Sequence, residues 1–252
     1  TAWITFGLIM CVIAAPASAM VLRRTPEDLG MTPDGIPADI TPSDGRGSHG
    51  GMMREEEVSW TPAEAIKTRT LWLTTAAVSL NIMALTAVLT NQAAYVTDRG
   101  FSGAIAATVV TLVSGLLAGA NLVWGLLAER FPIRNLVVLS FLIGAAGLTI
   151  LTMATSLPLF VMYAVVFGSR DGAVLSGLVY ANYWGRKYLG AIRGYVTPLQ
   201  TAASAAGPLL AALVYDKRGS YAMAFGVAAA FFLVSALVMA FAPPPKKRMA
   251  VP

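Results

Sequence analysis

Long apolar runs separated by short polar breaks make up most of this chain of 252 residues. They cover residues 2–22, 70–96, 104–127, 134–154, 157–183, 190–214 and 220–242. A helix rises about 1.5 Å per residue and the hydrocarbon core of a bilayer is about 30 Å thick, so about 20 residues span it. Most runs have that length, whereas strands of a membrane β-barrel would be shorter and would alternate in polarity. The pattern therefore predicts an all-α protein, a polytopic bundle of membrane helices.

The run over residues 157–183 is interrupted near its middle by Arg170 and Asp171. On a continuous helix the pair would lie at mid-membrane, where a charge costs at least about 2.5–3.5 kcal/mol. Each charge must therefore face water, a partner or a ligand. Neighbouring residues point about 100° apart on a helix, so each is predicted to have its own partner. Two interpretations stay open: a substrate or proton site inside a transporter, or an internal ion pair that fixes helix packing.

Composition favours the bilayer. Hydrophobic residues make up 56% of the chain and charged residues 12%, with a mean hydropathy of +0.67; a soluble domain carries about 25% charged residues. The net charge of +5 would suggest nucleic acid in a soluble protein, but the basic residues cluster at the ends of apolar runs, so nucleic-acid binding is not expected. One cysteine, Cys11, and one histidine, His49, give no internal disulfide and no expected metal site. No nucleotide loop or nucleophile motif indicates a cofactor or a catalytic residue, so the chain is not expected to be an enzyme.

Lysine and arginine placement predicts the orientation. One face holds only Arg99, Lys217 and Arg218. The other face holds most of the basic residues, namely Arg23, Arg24, Arg130, Arg134, Arg186, Lys187, Arg193, Lys246, Lys247 and Arg248. Cytoplasmic loops carry the excess of such residues. We therefore expect a multi-pass protein of the cell inner (plasma) membrane, with the linker over residues 23–69 and the C-terminal tail in the cytoplasm.

The linker is rich in Pro, Gly, Asp and Ser up to residue 51, and then order is predicted to return. Thr61, Pro62 and Glu64 have the spacing of a capping box with proline in the first helical position. This pattern predicts a short amphipathic helix near residues 61–69 along the inner face.

Four stretches resemble the major facilitator superfamily, in its branch of monocarboxylate-transporter-like and oxalate/formate-antiporter-like members. Residues 125–134, GLLAERFPIR, are similar to the cytoplasmic loop motif G-x-L-A-D-R-x-G-R-R, with Glu129 in place of the aspartate and Pro132 in place of a glycine. The other three stretches are RTPEDLG at 24–30, YWGRKYLGAIRG at 183–194, and GP at 207–208 followed by YDKRGSY at 215–221. The loop match implies an inner gate built from Gly125, Glu129, Arg130 and Arg134.

The resemblance implies two six-helix halves that rock around a central cavity. Residues 1–22 would be the last helix of the first half, 23–69 the cytoplasmic linker, 70–242 the complete second half and 243–252 a tail. The sequence is therefore interpreted as a fragment, and the N-terminal half of the transporter is an expected partner.

Polar residues within the spans should line that cavity. We expect Arg170, Asn81, Asn121 and Gln200 to bind substrate, with the forked guanidinium of Arg170 as counter-charge for a small organic anion. Asp171 is the only acidic residue that lies well inside a complete predicted span, so it is the candidate proton carrier. Oxalate/formate antiporters carry basic residues in their eighth and eleventh helices, to which the resemblance assigns residues 104–127 and 190–214. The first run has none and the second has only Arg193 at its cytoplasmic end. This argues against a dicarboxylate site with two cations and leaves a monocarboxylate or another substrate open.

The predicted function is secondary active transport by alternating access, as proton-coupled symport or anion exchange. Protons, the organic anion and membrane lipids are the expected partners. A non-transporting membrane sensor or scaffold on the same fold is the alternative.

Overall fold

A computed structural model gives the fold, and it describes residues 11, 12, 16 and 60–245. The chain divides into two compact units, Thr1–Arg54 and Glu55–Pro252. Of the span predicted over residues 2–22, only residues 11, 12 and 16 are among the described residues. The linker up to residue 59 and the tail from residue 246 lie outside them as well. Residues 60–245 all belong to the second unit.

Eight helices make up residues 60–245, in which no strand occurs. They are α1 (Pro62–Ile66), α2 (Arg69–Asp98), α3 (Gly103–Ala128), α4 (Ile133–Met153), α5 (Leu157–Gly168), α6 (Val174–Trp184), α7 (Leu189–Arg218) and α8 (Ala222–Ala240). Four of them, α2, α3, α4 and α8, are long and apolar enough to cross a membrane. The predicted all-α membrane bundle is confirmed.

Short polar residues set the helix starts. Thr61 Oγ1 accepts the Glu64 N–H at 3.4 Å while Glu64 Oε2 accepts the Thr61 N–H at 2.8 Å, a complete capping box. Helix α1 ends at Ile66, earlier than the predicted residue 69, because Thr68 already caps the next helix by accepting the Leu71 N–H at 3.3 Å. At the far end of α7, Gly219 adopts a left-handed φ of 66°, which ends the helix.

The bundle is organised around α2 and α8. Helix α8 packs against α4 and α2, α7 packs against α2, and α5 packs against α3 and α4. The buried side chains include a row of aromatic rings, with Tyr95 edge-on to both Phe160 and Phe225. These contacts fix where α5 can lie, and α5 leads directly into the charged pair.

Helices α2 and α7 approach closely at Gly207 and Pro208. A Cβ on Gly207 would overlap the Met83 carbonyl oxygen, so only glycine fits there. Pro208 has no N–H for the carbonyl of Ser204 one turn earlier. The Thr86 hydroxyl lies 2.9 Å from that carbonyl oxygen and donates to it across the interface. The proline thus frees an acceptor that joins the two helices.

The run over residues 157–183 is not one helix, contrary to the sequence prediction. Helix α5 ends at Gly168 and α6 begins at Val174, and residues 169–173 between them are not helical. Arg170 and Asp171 both lie in this break.

Candidate substrate site at the broken helix

The break begins where α5 meets α3. A Cβ on Gly168 would lie 2.6 Å from Leu116 Cβ, so the two backbones are close enough to exclude a larger residue. The Ser169 N–H still donates to the Val165 carbonyl, but beyond it the chain leaves the helical path, and the N–H groups of Asp171 and Gly172 need partners outside the helix. Water is not available in a bilayer core, so such backbone is tolerated only where protein groups satisfy it.

Side chains of α3 and α4 supply those partners. The Trp124 indole N–H donates to the Ser169 carbonyl at 2.8 Å, and Asn121 Oδ1 accepts the Gly172 N–H at 3.0 Å. From α4, Ser140 Oγ accepts the Asp171 N–H at 3.0 Å. Three hydrogen bonds from two neighbouring helices therefore hold the break in one conformation.

The carboxylate of Asp171 caps the start of α6. Its Oδ1 accepts the N–H groups of Val174 at 3.0 Å and Leu175 at 3.2 Å, and the side chain is only 5% exposed. A helix N-terminus carries partial positive charge and unpaired amides, so an acidic side chain stabilises it there. Asp171 thus has a clear structural role at the position predicted for the proton carrier.

Arg170 is sealed inside the bundle, with 1% of its surface exposed. Its Nη2 donates to Asn81 Oδ1 at 3.2 Å. The guanidinium carbon lies 5.5 Å from the ring centre of Phe167 and 5.0 Å from that of Phe232, which places the cation between two aromatic rings. The two rings cover the guanidinium, so within the described residues Arg170 does not face an open cavity, and its contact with a substrate stays a prediction.

Arg170 and Asp171 form no ion pair with each other in the part of the chain that is described. Each has its own partner, as predicted, but the predicted reason was wrong because neither residue is helical. The internal ion pair considered as an alternative is therefore not what fixes the packing. Asn81 holds one charge and the start of α6 holds the other.

Several buried donors around Arg170 have no hydrogen-bond partner. They are Arg170 Nε and Nη1, Asn81 Nδ2 and, further along α2, Gln92 Nε2. Gln92 Oε1 itself accepts the Tyr163 hydroxyl of α5 at 2.6 Å. A positive charge surrounded by unused donors is complementary to an anion, and most directly to a carboxylate, which offers only acceptors.

The predicted substrate residues fall into two groups. Arg170 and Asn81 are in contact, and Asn121 contacts the same break through Gly172. Gln200 does not join them. Its amide donates to the Tyr180 hydroxyl at 3.1 Å, and that hydroxyl lies 3.3 Å from Thr75 Oγ1, in a separate network between α7, α6 and α2.

The predicted gating residues lie at the end of the bundle where α3 turns into α4. Gly125 and Glu129 line a cavity of about 700 Å³ there, together with residues at the end of α6 such as Gly185. Arg130 is exposed in the turn, and Arg134 lies in the first turn of α4.

Sequence reasoning missed Ser140, Trp124 and Tyr163 as residues of this region. Ser140 had a visible signal, since it is the one polar residue in the apolar stretch 136–146. The indole of Trp124 and the hydroxyl of Tyr163 gave no such signal, because either ring is common in an ordinary apolar helix.

Comparison with known proteins agrees with this architecture. The family model of the Major Facilitator Superfamily matches the chain twice, over residues 1–181 and over residues 71–252. Monocarboxylate transporter 12 of Homo sapiens is 29% identical over 154 residues, which are 59% of this chain and 30% of the human protein. The chain therefore matches less than a third of the length of this relative.

Proposed function

Because this chain belongs to the major facilitator superfamily, we propose that it forms part of a secondary active transporter that moves a small organic anion. The substrate class we propose is a monocarboxylate, in line with the name of the human relative. Transport follows alternating access, in which helix bundles move around a site near the membrane midplane. The linker and the tail lie in the cytoplasm of a cell whose inner (plasma) membrane holds the protein.

The observation that carries this proposal is the set of unused donors around Arg170. Burying a cation costs several kcal/mol unless hydrogen bonds and an opposite charge compensate it. Arg170 receives one hydrogen bond acceptor, from Asn81, and two aromatic faces. A carboxylate placed against Nε or against Nη1 would use that unpartnered donor together with the second N–H of Nη2, in the parallel arrangement that a guanidinium favours.

Access to this site depends on the broken helix. Phe167 and Phe232 cover Arg170 in the structure, so the arrangement corresponds to an occluded site. The N–H groups of Asp171 and Gly172 bond to side chains of α4 and α3 rather than to helical carbonyls, and the segment around them connects two separate helices. This segment is therefore the point where α5 and α6 can change their angle. Movement there would part the rings and open the guanidinium toward the centre of the transporter.

Asp171 is the group proposed to couple transport to protons. It lies next to Arg170 in the chain and caps α6, so a change of its protonation alters the charge at the break itself. The turn with Gly125, Glu129, Arg130 and Arg134 is proposed as the inner gate, since it borders the cavity at the cytoplasmic end.

Ligand-dependent stability of the purified chain tests the proposal. Lactate, formate, oxalate and glucose would be added to the detergent-solubilised protein and the thermal midpoint recorded. A ligand at a hundred times its Kd adds about 2.7 kcal/mol of stability. We expect stabilisation by lactate, none by glucose, loss of the effect in Arg170→Gln, and partial retention in Arg170→Lys.

Lys187→Gln is the matched control, because it removes an exposed positive charge from the turn between α6 and α7. It should keep the lactate effect. Stabilisation by lactate that survives in Arg170→Gln would show that the anion binds elsewhere. In the full-length protein the same variants would be compared for uptake into liposomes, and binding without uptake would favour the sensor or scaffold alternative.

A further inference from the structure

A deep crevice separates α7 from α8. It has a volume of about 530 Å³, with α2 as its floor at Ala84 and Ala87, and it is lined on its two sides by apolar residues such as Leu213 and Val227. At one end the lining changes to the basic pair Lys217 and Arg218. We call this feature the α7–α8 crevice.

The crevice remains open because of how its walls are built. Gly207 and Pro208 bring α7 against α2, while the floor residues are alanines that leave space between the helices. Apolar side chains on both walls are half exposed, with Leu213 at 55% and Met223 at 52%. A volume of this size is many times the roughly 30 Å³ that one water occupies, and its apolar walls are open to the surroundings of the bundle.

The length of the crevice matches one leaflet of a bilayer. From Gly207 to Lys217 helix α7 rises by about 15 Å, at about 1.5 Å per residue. The hydrocarbon core is about 30 Å thick, so one leaflet contributes about 15 Å. Helix α8 runs the other way, so Met223 lies near the basic end and Phe231 lies deep in the crevice.

The charges at the open end favour an anion. Lys217 and Arg218 occupy the last turn of α7 and are exposed. Two carboxylates, Asp98 and Asp216, are also near this end, where they add to the effect of burial in raising the pKa of Tyr221, and neither lines the crevice. A ligand in the crevice therefore meets apolar walls along its length and two positive charges at its head.

We propose that the α7–α8 crevice binds one anionic phospholipid, with an acyl chain between α7 and α8 and the phosphate between Lys217 and Arg218. The acyl chain replaces the missing packing of the two helices, and the basic pair holds the headgroup at the level of the interface. With the orientation proposed above, the lipid belongs to the outer leaflet. This site is separate from the buried cluster at Arg170, so it does not depend on the transported substrate.

Native mass spectrometry of the full purified chain tests this. The protein would be titrated with phosphatidylglycerol, phosphatidylcholine of the same acyl chains, and the corresponding free fatty acid. We expect one phosphatidylglycerol retained per chain and weaker binding of the other two. Lys217→Gln with Arg218→Gln should lower phosphatidylglycerol affinity by about thirtyfold, toward that of phosphatidylcholine.

Two further variants make the test specific. Val227→Trp fills the crevice from a residue that is 42% exposed, so it needs no new buried space, and it should abolish retention of either phospholipid. Arg130→Gln with Lys187→Gln removes two exposed charges outside the crevice lining and should leave binding unchanged.

Several results would overturn the proposal. If the Arg130 and Lys187 control loses as much phosphatidylglycerol affinity as the Lys217 and Arg218 variant, the effect is one of general charge. If Val227→Trp still retains a phospholipid, the lipid binds elsewhere. Absence of a retained phospholipid would show that the crevice is not a phospholipid site. A free fatty acid that binds as tightly as phosphatidylglycerol would show that the site does not require a phospholipid.

Discussion

Asp171 has two features that a single substitution can separate. Its Oδ1 accepts two amides at the start of α6, and its negative charge lies beside Arg170 in the chain. Asn in its place keeps an acceptor oxygen but cannot carry a proton, whereas Ala loses both. The cap and the coupling role therefore predict different results for the two variants.

We expect Asp171→Asn to abolish proton-coupled uptake by the full-length transporter while anion exchange continues. Proton influx and labelled-anion exchange in liposomes would be measured side by side. Proton-coupled uptake that persists unchanged would show that Asp171 is a cap and another group couples the proton.

We expect Asp171→Ala to lower the free energy of unfolding of this chain by about 1–2 kcal/mol, the usual cost of losing a helix cap. Thermal unfolding in detergent measures this effect, and the free energy of unfolding should fall less in the matched variant Asp171→Asn. An equal fall in both variants would mean that the charge, rather than the acceptor oxygen, stabilises α6.

At the scale of elements, the broken helix shows what a hydropathy pattern cannot reveal. The apolar run continues on both sides of Arg170, so the pattern predicts one helix through it. The break depends on partners that are distant in sequence, namely Asn121, Trp124 and Ser140, and on the close approach of Gly168 to α3. The start of α1 at Thr61 was more predictable, because a cap is a local hydrogen bond.

Removing one of these distant partners should destabilise the break. Asn121→Ala leaves the partly buried Gly172 N–H without its acceptor, and the loss of one intramolecular hydrogen bond costs about 0.5–1.5 kcal/mol. The thermal midpoint of the purified chain should fall accordingly. Thr108→Ala is the control on the same helix, since the exposed Thr108 hydroxyl donates only to Ala104 of its own helix; a similar fall in that variant would contradict the assignment.

The contact between α2 and α7 gives a second prediction for an element. Gly207→Ala places a methyl group against the Met83 carbonyl, and such overpacking costs about 1–3 kcal/mol. Gly194→Ala makes the same chemical change on the same helix, where a Cβ meets no described atom within 4 Å. Thermal unfolding should show a lower free energy of unfolding for Gly207→Ala and no change for Gly194→Ala. The same change in both variants would mean that α7 does not approach α2 as described.

For the whole molecule, the positions of α2, α3, α4 and α8 followed from hydrophobic runs because the bilayer fixes the length of a crossing helix. The grouping of site residues followed only in part. Asn81 and Asn121 lie near Arg170 because α2 and α3 happen to face the break, whereas Gln200 points to Tyr180. Which polar residue faces which helix depends on helix rotation, and apolar residues on all sides leave that rotation undefined in the sequence.

The remaining prediction concerns the surfaces that the described helices leave uncovered. Gly115 on α3 and Gly194 on α7 face open space, since a Cβ at either meets no described atom within 4 Å. Small residues on membrane helices allow close packing of another helix, and the superfamily places a second bundle against such faces. We expect Gly115→Trp with Gly194→Trp to leave the thermal stability of this chain unchanged but to prevent copurification with a coexpressed N-terminal half. Gly226→Trp on α8, which also faces open space, should affect neither. Loss of copurification in Gly226→Trp alone would instead place the contact on α8, so the two variants together decide which face of this bundle meets the other half.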